Sequence, residues 1–295
     1  MTRKTGPGGP PRSRRRTAAL TLASALLALT ACGAPAAGTA EPSPTVPAAV
    51  TSSGPPDPGP WRLVLDDGFD GSELDSALWT TCYDWNKDGC TISSNDESQW
   101  YLPGQVSVDD GELTLTAERR ETRGSDDETY PWRSGMISTG RDQWYGEPRR
   151  VFTYGYFEAA IRIPEEAGMF PAFWMMPESR FTPPEVDIME FLGSTTRVNM
   201  YVHWREPDGE RARERGEYGP SDFSERFHVF GLLWERDALV WYVDGVERFR
   251  VTEPERIPDV PMEVMVNLAV GVPEEPPEDV DKAVMRVDWV RVWQR

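Results

Sequence analysis

Apolar and polar residues alternate with a period of two along most of the chain after Trp61. Every second residue is apolar in five segments, 113–117, 157–163, 198–204, 239–243 and 264–270. Turn signals accompany this pattern, as in Asp109-Asp110-Gly111 and in Asp244-Gly245, the second of which favours a type I′ hairpin. Because successive side chains of a β-strand point to opposite faces, the pattern predicts many short strands with one buried face. We therefore expect an all-β sandwich of two antiparallel sheets that forms one domain over residues 61–295.

Charge is unevenly distributed along the chain. The 295 residues carry a formal net charge of −18, yet the first 31 hold six basic residues and no acidic one. The rest of the chain is therefore strongly acidic, which argues against non-specific nucleic-acid binding, since such binding needs clustered Lys and Arg. Twelve Trp, nine Tyr and eleven Phe exclude wholesale disorder because they can supply a sizeable core.

The N-terminal segment has the layout of an export signal. Arg12 to Arg16 form a basic stretch ahead of apolar residues 18–29, which are too few to span a membrane. The following Leu29-Thr30-Ala31-Cys32 resembles the lipobox of bacterial lipoproteins, which implies removal of residues 1–31 and a lipid anchor on Cys32. Attachment to the outer face of the cell membrane is then expected. An ordinary cleaved signal with secretion remains an alternative, and the export route (Sec or Tat) stays open.

Residues 32–60 are predicted to be a linker between this anchor and the domain. Eight of the 28 residues 33–60 are Pro, mixed with Ala, Gly, Ser and Thr, and they show no apolar periodicity. Such a composition favours a semi-extended, solvated spacer.

Two cysteines remain after Cys32, and they lie eight residues apart at Cys82 and Cys90. Outside the cytoplasm a pair at this spacing predicts a disulfide that closes one surface loop. A metal site is disfavoured because no further Cys or His lies nearby in the sequence.

Three acidic residues, Glu185, Asp187 and Glu190, concentrate in the segment Glu185-Val186-Asp187-Ile188-Met189-Glu190. In a regular strand Glu190 would face away from the other two, but a one-residue bulge near Ile188-Met189 would bring all three to one face. Adjacent carboxyl groups raise one another's pKa, which is the tuning that a retaining glycosidase needs. A solvated acidic face or a cation site is the alternative interpretation.

The same segment resembles the Glu-x-Asp-x-x-Glu signature of glycoside hydrolase family 16, in its bulged, laminarinase-like form. The resemblance covers essentially all of 61–295, through further matching segments in the family's order at 67–71, 95–101, 106–116, 134–139, 152–158, 170–176, 241–245, 267–271 and 287–292. It implies a jelly-roll sandwich with a concave substrate cleft, and endo-acting, retaining hydrolysis of a β-linked polysaccharide that requires no cofactor. By match to the motif, Glu185 is the nucleophile, Glu190 is the general acid/base, and Asp187 hydrogen-bonds Glu185.

The resemblance also implies a set of substrate-binding residues. His203 lies at the position where laminarinase-like members carry a histidine beside the catalytic strand, and Trp174 matches the sugar platform. Asn95, Trp100 and Tyr101 match a cleft-lining loop, while Phe181 stands in for a tryptophan that often precedes the catalytic strand. His228 is interpreted as structural.

Many family members carry a structural Ca²⁺ on the convex side. The resemblance implies that a backbone oxygen at Gly111 and the carboxylate of Asp288 would hold it here. Gly68 departs from this pattern because it occupies the position of an expected glutamate.

The substrate is predicted with less detail. A β-1,3- or β-1,3-1,4-glucan is the leading prediction, but Met136 and Phe170 depart from the laminarinase-like pattern at expected sugar subsites. The segment 204–218, which contains Arg205, Arg211, Arg213 and Arg215, has no family counterpart that we can place. A β-galactan, an exopolysaccharide and transglycosylation remain open, as do a non-catalytic carbohydrate-binding lipoprotein and a structural envelope lipoprotein. We expect a monomer.

Overall fold

The computed structural model describes residues 51–52, 54–82, 89–143 and 145–295. The predicted signal peptide 1–31, the predicted lipidation site Cys32 and linker residues 33–50 lie outside the described residues. The described part of the chain contains no helix that is long and apolar enough to cross a membrane.

β-Strands dominate the described residues, with three 3₁₀ turns at Ser93–Asn95, Pro103–Gln105 and Pro254–Arg256. The strands are β1 (Arg62–Asp67), β2 (Gln99–Tyr101), β3 (Val106–Asp109), β4 (Glu112–Glu118), β5 (Thr122–Arg123), β6 (Thr129–Tyr130), β7 (Trp132–Ser134), β8 (Met136–Ser138), β9 (Gly155–Arg162), β10 (Met169–Pro177), β11 (Glu185–Glu190), β12 (Val198–Arg205), β13 (Arg211–Tyr218), β14 (His228–Trp234), β15 (Leu239–Val243), β16 (Val246–Val251), β17 (Met262–Val270) and β18 (Lys282–Gln294). The predicted all-β fold is confirmed.

The described strands form two large sheets and one small ribbon. The ten-stranded sheet has the order β16-β15-β14-β9-β18-β4-β7-β2, with β1 beside β18 and β3 beside β4. The six-stranded sheet has the order β13-β12-β11-β10-β17-β8, and β5 pairs with β6. Neighbouring strands run antiparallel, as predicted, except that β2 and β7 run parallel.

The core lies between the two large sheets. One continuous apolar cluster includes Phe157 and Trp234 from the ten-stranded sheet and Phe173, Val186 and Val266 from the six-stranded sheet. The alternation of apolar and polar residues in the sequence therefore arises as predicted, because the apolar side chains of the strands point toward the opposing sheet. In the six-stranded sheet, the side chains of the opposite parity point away from this core, and the candidate site is built from them.

Two predicted local features are confirmed. Asp110-Gly111 and Asp244-Gly245 both have positive φ angles, of 52° and 75° in the first pair and 51° and 73° in the second. This is the backbone of a type I′ turn, which matches the right-handed twist of the strands it connects. Cys82 and Cys90 are joined by a disulfide.

The last residues of the predicted linker contact the ten-stranded sheet. Ser52 hydrogen-bonds Glu158 of β9, and Asp57 accepts hydrogen bonds of 2.8 Å from both Trp61 and Arg295. The prediction of a solvated spacer is therefore incomplete for this end of residues 32–60, because an ion pair and hydrogen bonds attach it to the domain.

Candidate active site

A bulge in β11 determines which way the three acidic side chains point. On one side of β11, Trp174 pairs with Asp187 while Phe173 pairs with Met189, so Ile188 is the extra residue. On the other side, the register shifts between Asp187 and Glu190. Ile188 and Met189 both enter the core, and the alternation resumes one residue later. The predicted one-residue bulge is confirmed.

Two side-chain hydrogen bonds stabilise the bulge. They reach backbone oxygens that would bond to a neighbouring strand if β11 were regular. Trp241 Nε1, from β15 of the opposing sheet, donates to the backbone oxygen of Asp187 at 2.9 Å. Asn199 Nδ2 on the neighbouring β12 donates to the backbone oxygen of Glu190 at 3.3 Å. A buried side chain of one sheet thereby supports the backbone irregularity of the other.

All three acids line one pocket on the outer face of the six-stranded sheet. Its other lining residues are Ile92, Asn95, Glu97, Phe170, Ala172, Trp174 and Asn267. The structure therefore brings together Glu185, Asp187, Glu190, Trp174 and Asn95 among the sequence-predicted residues. The arrangement places several carboxyl groups beside an aromatic ring, which suits a sugar in contact with an acid and a base.

His203 lies beside the first two acids. Its Nε2 shares a 3.0 Å hydrogen bond with Asp187 Oδ2 and lies 3.8 Å from Glu185 Oε1. Asp187 therefore bonds His203, and the predicted hydrogen bond from Asp187 to Glu185 does not form, since Asp187 Oδ1 has no hydrogen-bond partner among the described residues. The pairing of Glu185 with His203 and of Asp187 with Tyr201 explains the position of His203, because directly paired residues point to the same face. Donor atoms of Glu185, Asp187 and His203 all lie within 4.8 Å of one another, so the cluster could also accept a cation.

Burial raises the pKa of each of the three carboxyl groups, because a charged carboxylate is poorly solvated there. The pKa values of Asp187 and Glu190 rise well above the ordinary range, since neighbouring negative charges add to the effect of burial. The charges of His203 and Arg211 oppose the rise in the pKa of Glu185. Burial lowers the pKa of His203. The pKa of Glu185 is therefore raised less than that of Glu190, so Glu185 ionises more readily and Glu190 is favoured to keep its proton.

Glu97 is a fourth carboxyl group in the pocket, and sequence reasoning did not select it. It is buried, and it accepts hydrogen bonds from Gln99 Nε2 at 2.6 Å and from Asn95 Nδ2 at 3.2 Å. Burial raises the pKa of Glu97 to about 7, although these hydrogen bonds act in the opposite direction. Its negative charge contributes to the raised pKa of Glu190.

We expect Glu97→Gln to move the basic limb of the pH profile of kcat/KM to lower pH. An ionised Glu97 helps Glu190 keep its proton, so its removal lowers the pKa of Glu190, and Glu190 loses that proton at a lower pH. Glu121→Gln, at an exposed position outside the pocket, is the matched control and should leave the limb in place. An unchanged or raised limb for Glu97→Gln would contradict the electrostatic link.

Trp174 is held in the pocket by a chain of hydrogen bonds. Its Nε1 donates to Asn267 Oδ1 at 2.7 Å, and Asn267 Nδ2 donates to the hydroxyl oxygen of Tyr101 at 3.1 Å. Tyr101 is fully buried, in an apolar cluster that also contains Phe170 and Trp174. Tyr101 therefore supports Trp174 through Asn267. Direct contact between Tyr101 and the substrate stays a prediction.

The other predicted binding residues lie away from the acids. Trp100 is buried against Tyr130, with ring centroids 5.2 Å apart, and does not line the pocket. Phe181, in the segment between β10 and β11, is 78% exposed and borders a separate depression with Arg141 and Arg180. His228 is buried and its Nδ1 shares a 2.8 Å hydrogen bond with Asp244 Oδ2, which fits the structural role predicted for it.

The predicted Ca²⁺ ligands lie near one hairpin. Val287 pairs with Leu113, so Asp288 lies beside the β3–β4 turn that contains Gly111. The carboxylate of Asp70 approaches the same turn, because a Cβ atom on Gly111 would lie 3.9 Å from Asp70 Oδ1 and one on Gly68 3.3 Å from Asp70 Oδ2. A backbone oxygen and two carboxylates are hard oxygen donors, so these residues fit a Ca²⁺ ion.

The fold and the pocket together define a class, that of β-sandwich proteins with an acid-lined pocket on the outer face of one sheet. Comparison with known proteins identifies the family. The model of the Glycosyl hydrolases family 16 matches residues 93–291, and the chain belongs to this family.

Individual relatives agree with this assignment. Endo-1,3-1,4-beta-glycanase EglC of Rhizobium meliloti (strain 1021) is 33% identical over an alignment of 249 positions that covers 78% of this chain and 49% of the relative. Beta-glucanase of Rhodothermus marinus is 30% identical over an alignment of 261 positions that covers 79% of this chain and 85% of the relative. The crystal structure of an endo-beta-1,3-glucanase from Pyrococcus furiosus superposes with a TM-score of 0.67 and 29% identity, covering 79% of this chain and 94% of that one. The chain spans about half the length of EglC.

Proposed function

We propose that the domain is an endo-acting, retaining hydrolase of β-1,3- or mixed β-1,3-1,4-glucans. The observation that carries this proposal is the bulge in β11, which turns Glu185, Asp187 and Glu190 into one pocket beside Trp174. The activities for which the relatives are named, 1,3-1,4-β-glycanase, β-glucanase and endo-β-1,3-glucanase, support the choice of substrate.

In the first step Glu190 donates its proton to the oxygen of the departing sugar while Glu185 attacks the anomeric carbon. A covalent glycosyl-enzyme then carries the sugar on the Glu185 oxygen. In the second step ionised Glu190 takes a proton from water, water attacks the same carbon, and Glu185 is released as a carboxylate. Two inversions leave the product with the configuration of the substrate.

The surroundings of the two glutamates support this division of roles. Burial and the neighbouring carboxylates raise the pKa of Glu190, which favours a protonated acid in the resting protein. Burial raises the pKa of Glu185 as well, but His203 and Arg211 oppose that rise, so Glu185 ionises more readily than Glu190. Asp187 lies between them in sequence, and its hydrogen bond to His203 fixes the position of the imidazole ring beside Glu185.

A reducing-sugar assay of the full-length protein tests the proposal. The panel contains a β-1,3-glucan, a mixed β-1,3-1,4-glucan, a β-1,4-glucan and a β-galactan. Release of short oligosaccharides from the first two supports the proposal, and cleavage of the galactan alone would redirect it. Binding to a glucan without any cleavage would instead identify a carbohydrate-binding protein.

We also propose a structural Ca²⁺ at Gly111, Asp70 and Asp288. Addition of Ca²⁺ to chelator-treated protein should raise Tm, because an ion that binds only the folded state stabilises it by mass action. An Asp70→Asn variant should lose most of that rise, whereas the exposed Asp142→Asn control should keep it. Equal Tm values with and without Ca²⁺ would contradict the site.

We further propose that the protein is exported and held at the membrane through lipid on Cys32. The proposal is supported by the basic stretch, the apolar segment and the small residues that precede this cysteine. Replacement of Cys32 by Ala should move the protein from the membrane fraction to the medium. Unchanged fractionation would reject the anchor.

A further inference from the structure

A row of arginines extends the face that carries the acids. β13 pairs with β12 at the edge of the six-stranded sheet, and Arg213 pairs with His203 while Arg215 pairs with Tyr201. Directly paired residues point to the same side, so these arginines and Arg211 face the same side as the pocket. They occupy alternate positions of one strand, so neighbouring members are about 7 Å apart.

The row is exposed, and its charges are only partly compensated by protein. All three arginines are exposed, and Arg213 and Arg215 lie over the ring of Tyr201 at 5.5 and 6.0 Å from its centroid. Arg215 pairs with Glu217 and Arg211 donates to Thr182. Among the described residues, no carboxylate forms an ion pair with Arg211 or Arg213. Three like charges at this spacing repel one another, which is unfavourable without an anion to bridge them.

The location of the row matters for a polysaccharide in the pocket. β13 lies two strands from β11, which is about 10 Å at the usual strand spacing. A sugar at that distance belongs to the same bound chain but is not the one being cleaved. The rest of the molecule carries excess negative charge, so a polyanion would be repelled by most of its surface and attracted here.

We propose that Arg211, Arg213 and Arg215 bind anionic substituents of the substrate, so that the preferred polysaccharide is an acidic β-glucan. The inference rests on the proposed hydrolase function and names the substrate class of the same cleft. The planar guanidinium fork matches a carboxylate or a sulfate ester through paired, charge-assisted hydrogen bonds, whereas the hydroxyls of a neutral glucan carry no charge to strengthen such bonds. Specificity for acidic substituents would then come from β13, while the acids of β11 carry out the chemistry.

The test compares one glucan in three forms of equal chain length: unmodified, carboxymethylated and sulfated. For the native protein we expect kcat/KM to be higher on an anionic form than on the unmodified one, with the advantage shrinking as salt rises from about 0.05 to 0.5 M. Whichever anionic form is preferred identifies the substituent chemistry. Replacement of all three arginines by Gln should lower the ratio of anionic to neutral kcat/KM by about tenfold or more.

A control triple variant separates a local effect from a change in total charge. Arg62, Arg123 and Arg226 are exposed and lie outside the six-stranded sheet, so replacing them by Gln removes equal charge and should keep the ratio. A native protein that cleaves neutral glucan with no anionic preference would overturn this inference and leave the proposed function intact. An equal loss on neutral and anionic glucan in the β13 variant would also overturn it, since the arginines would then act only through the pKa values of the acids. Failure to cleave any form would remove the proposed function itself.

Discussion

Replacement of Glu185 by Gln lowers kcat/KM on β-glucan by at least about 10⁴-fold, because an amide cannot form the glycosyl ester on which the double displacement depends. The side chain keeps its size, so the bulge, the Asp187–His203 hydrogen bond and the packing of β11 should persist. The measurement is initial-rate hydrolysis of a soluble β-glucan, together with a thermal unfolding curve for each protein.

Two further variants test whether the loss of activity in Glu185→Gln comes from removal of the nucleophile. Glu121→Gln makes the same chemical change at an exposed site outside the pocket and should retain full activity. Glu185→Ala with added azide should form a glycosyl azide of inverted configuration from an activated aryl glycoside, since the small anion takes the vacated position. A Glu185→Gln protein that folds normally and keeps more than about one hundredth of native activity would exclude Glu185 as nucleophile.

Replacement of Glu190 by Gln should give a different pattern, in which the loss depends on the leaving group. Hydrolysis of β-glucan should fall by about 10²–10⁴-fold, because the departing sugar oxygen no longer receives a proton. Aryl glycosides with acidic phenol leaving groups need no such proton, so their first step should continue and the glycosyl-enzyme should accumulate. Mass spectrometry of the intact protein measures that species.

The pH profile provides an independent check on Glu190. Because its pKa is raised, the native protein should hold the proton near neutral pH and lose activity as the pH rises through that raised pKa. The basic limb should disappear in Glu190→Gln for substrates with good leaving groups. Equal losses on all substrates, without an accumulated intermediate, would assign the acid role to another residue.

Much of the fold could be predicted because its strands obey one rule. The alternating segments 157–163, 198–204 and 264–270 fall within or next to β9, β12 and β17, since one parity of each faces the core. β9, β10 and β17 are nevertheless buried at both parities, and for β10 residues from the segment around Tyr101 cover the outer face in a second apolar cluster. Periodicity cannot show that a strand is covered on both faces.

The spacing of the acidic residues along β11 was sufficient to predict that they share one face. The residues that stabilise this arrangement could not be predicted from spacing. Glu185 and Glu190 can share a face only if β11 bulges, and the sequence spacing therefore predicts the bulge. Trp241, which holds the bulge, reaches it from the opposing sheet, and only the packing of the two sheets brings them together.

Glu97 and Asn267 are further members of the pocket that periodicity did not single out. Both lie in segments that resemble the family, but their roles depend on burial and hydrogen bonding, which spacing does not reveal. Conversely, Trp100 matches the family's cleft-lining segment, yet its ring packs on Tyr130. Aromatic residues in a chain with this composition are as suited to packing as to sugar binding.

The configuration of the first product tests the central claim most directly, because it reports whether two carboxyl groups of one bulged strand perform a double displacement. Proton NMR of a short β-glucan oligosaccharide, recorded during the first minutes of hydrolysis, distinguishes the two anomers of the new reducing end before they equilibrate. Our account predicts that the β anomer appears first and the α anomer only later, as mutarotation proceeds. Initial release of the α anomer would contradict it, since a single inversion has no place for Glu185 as a nucleophile.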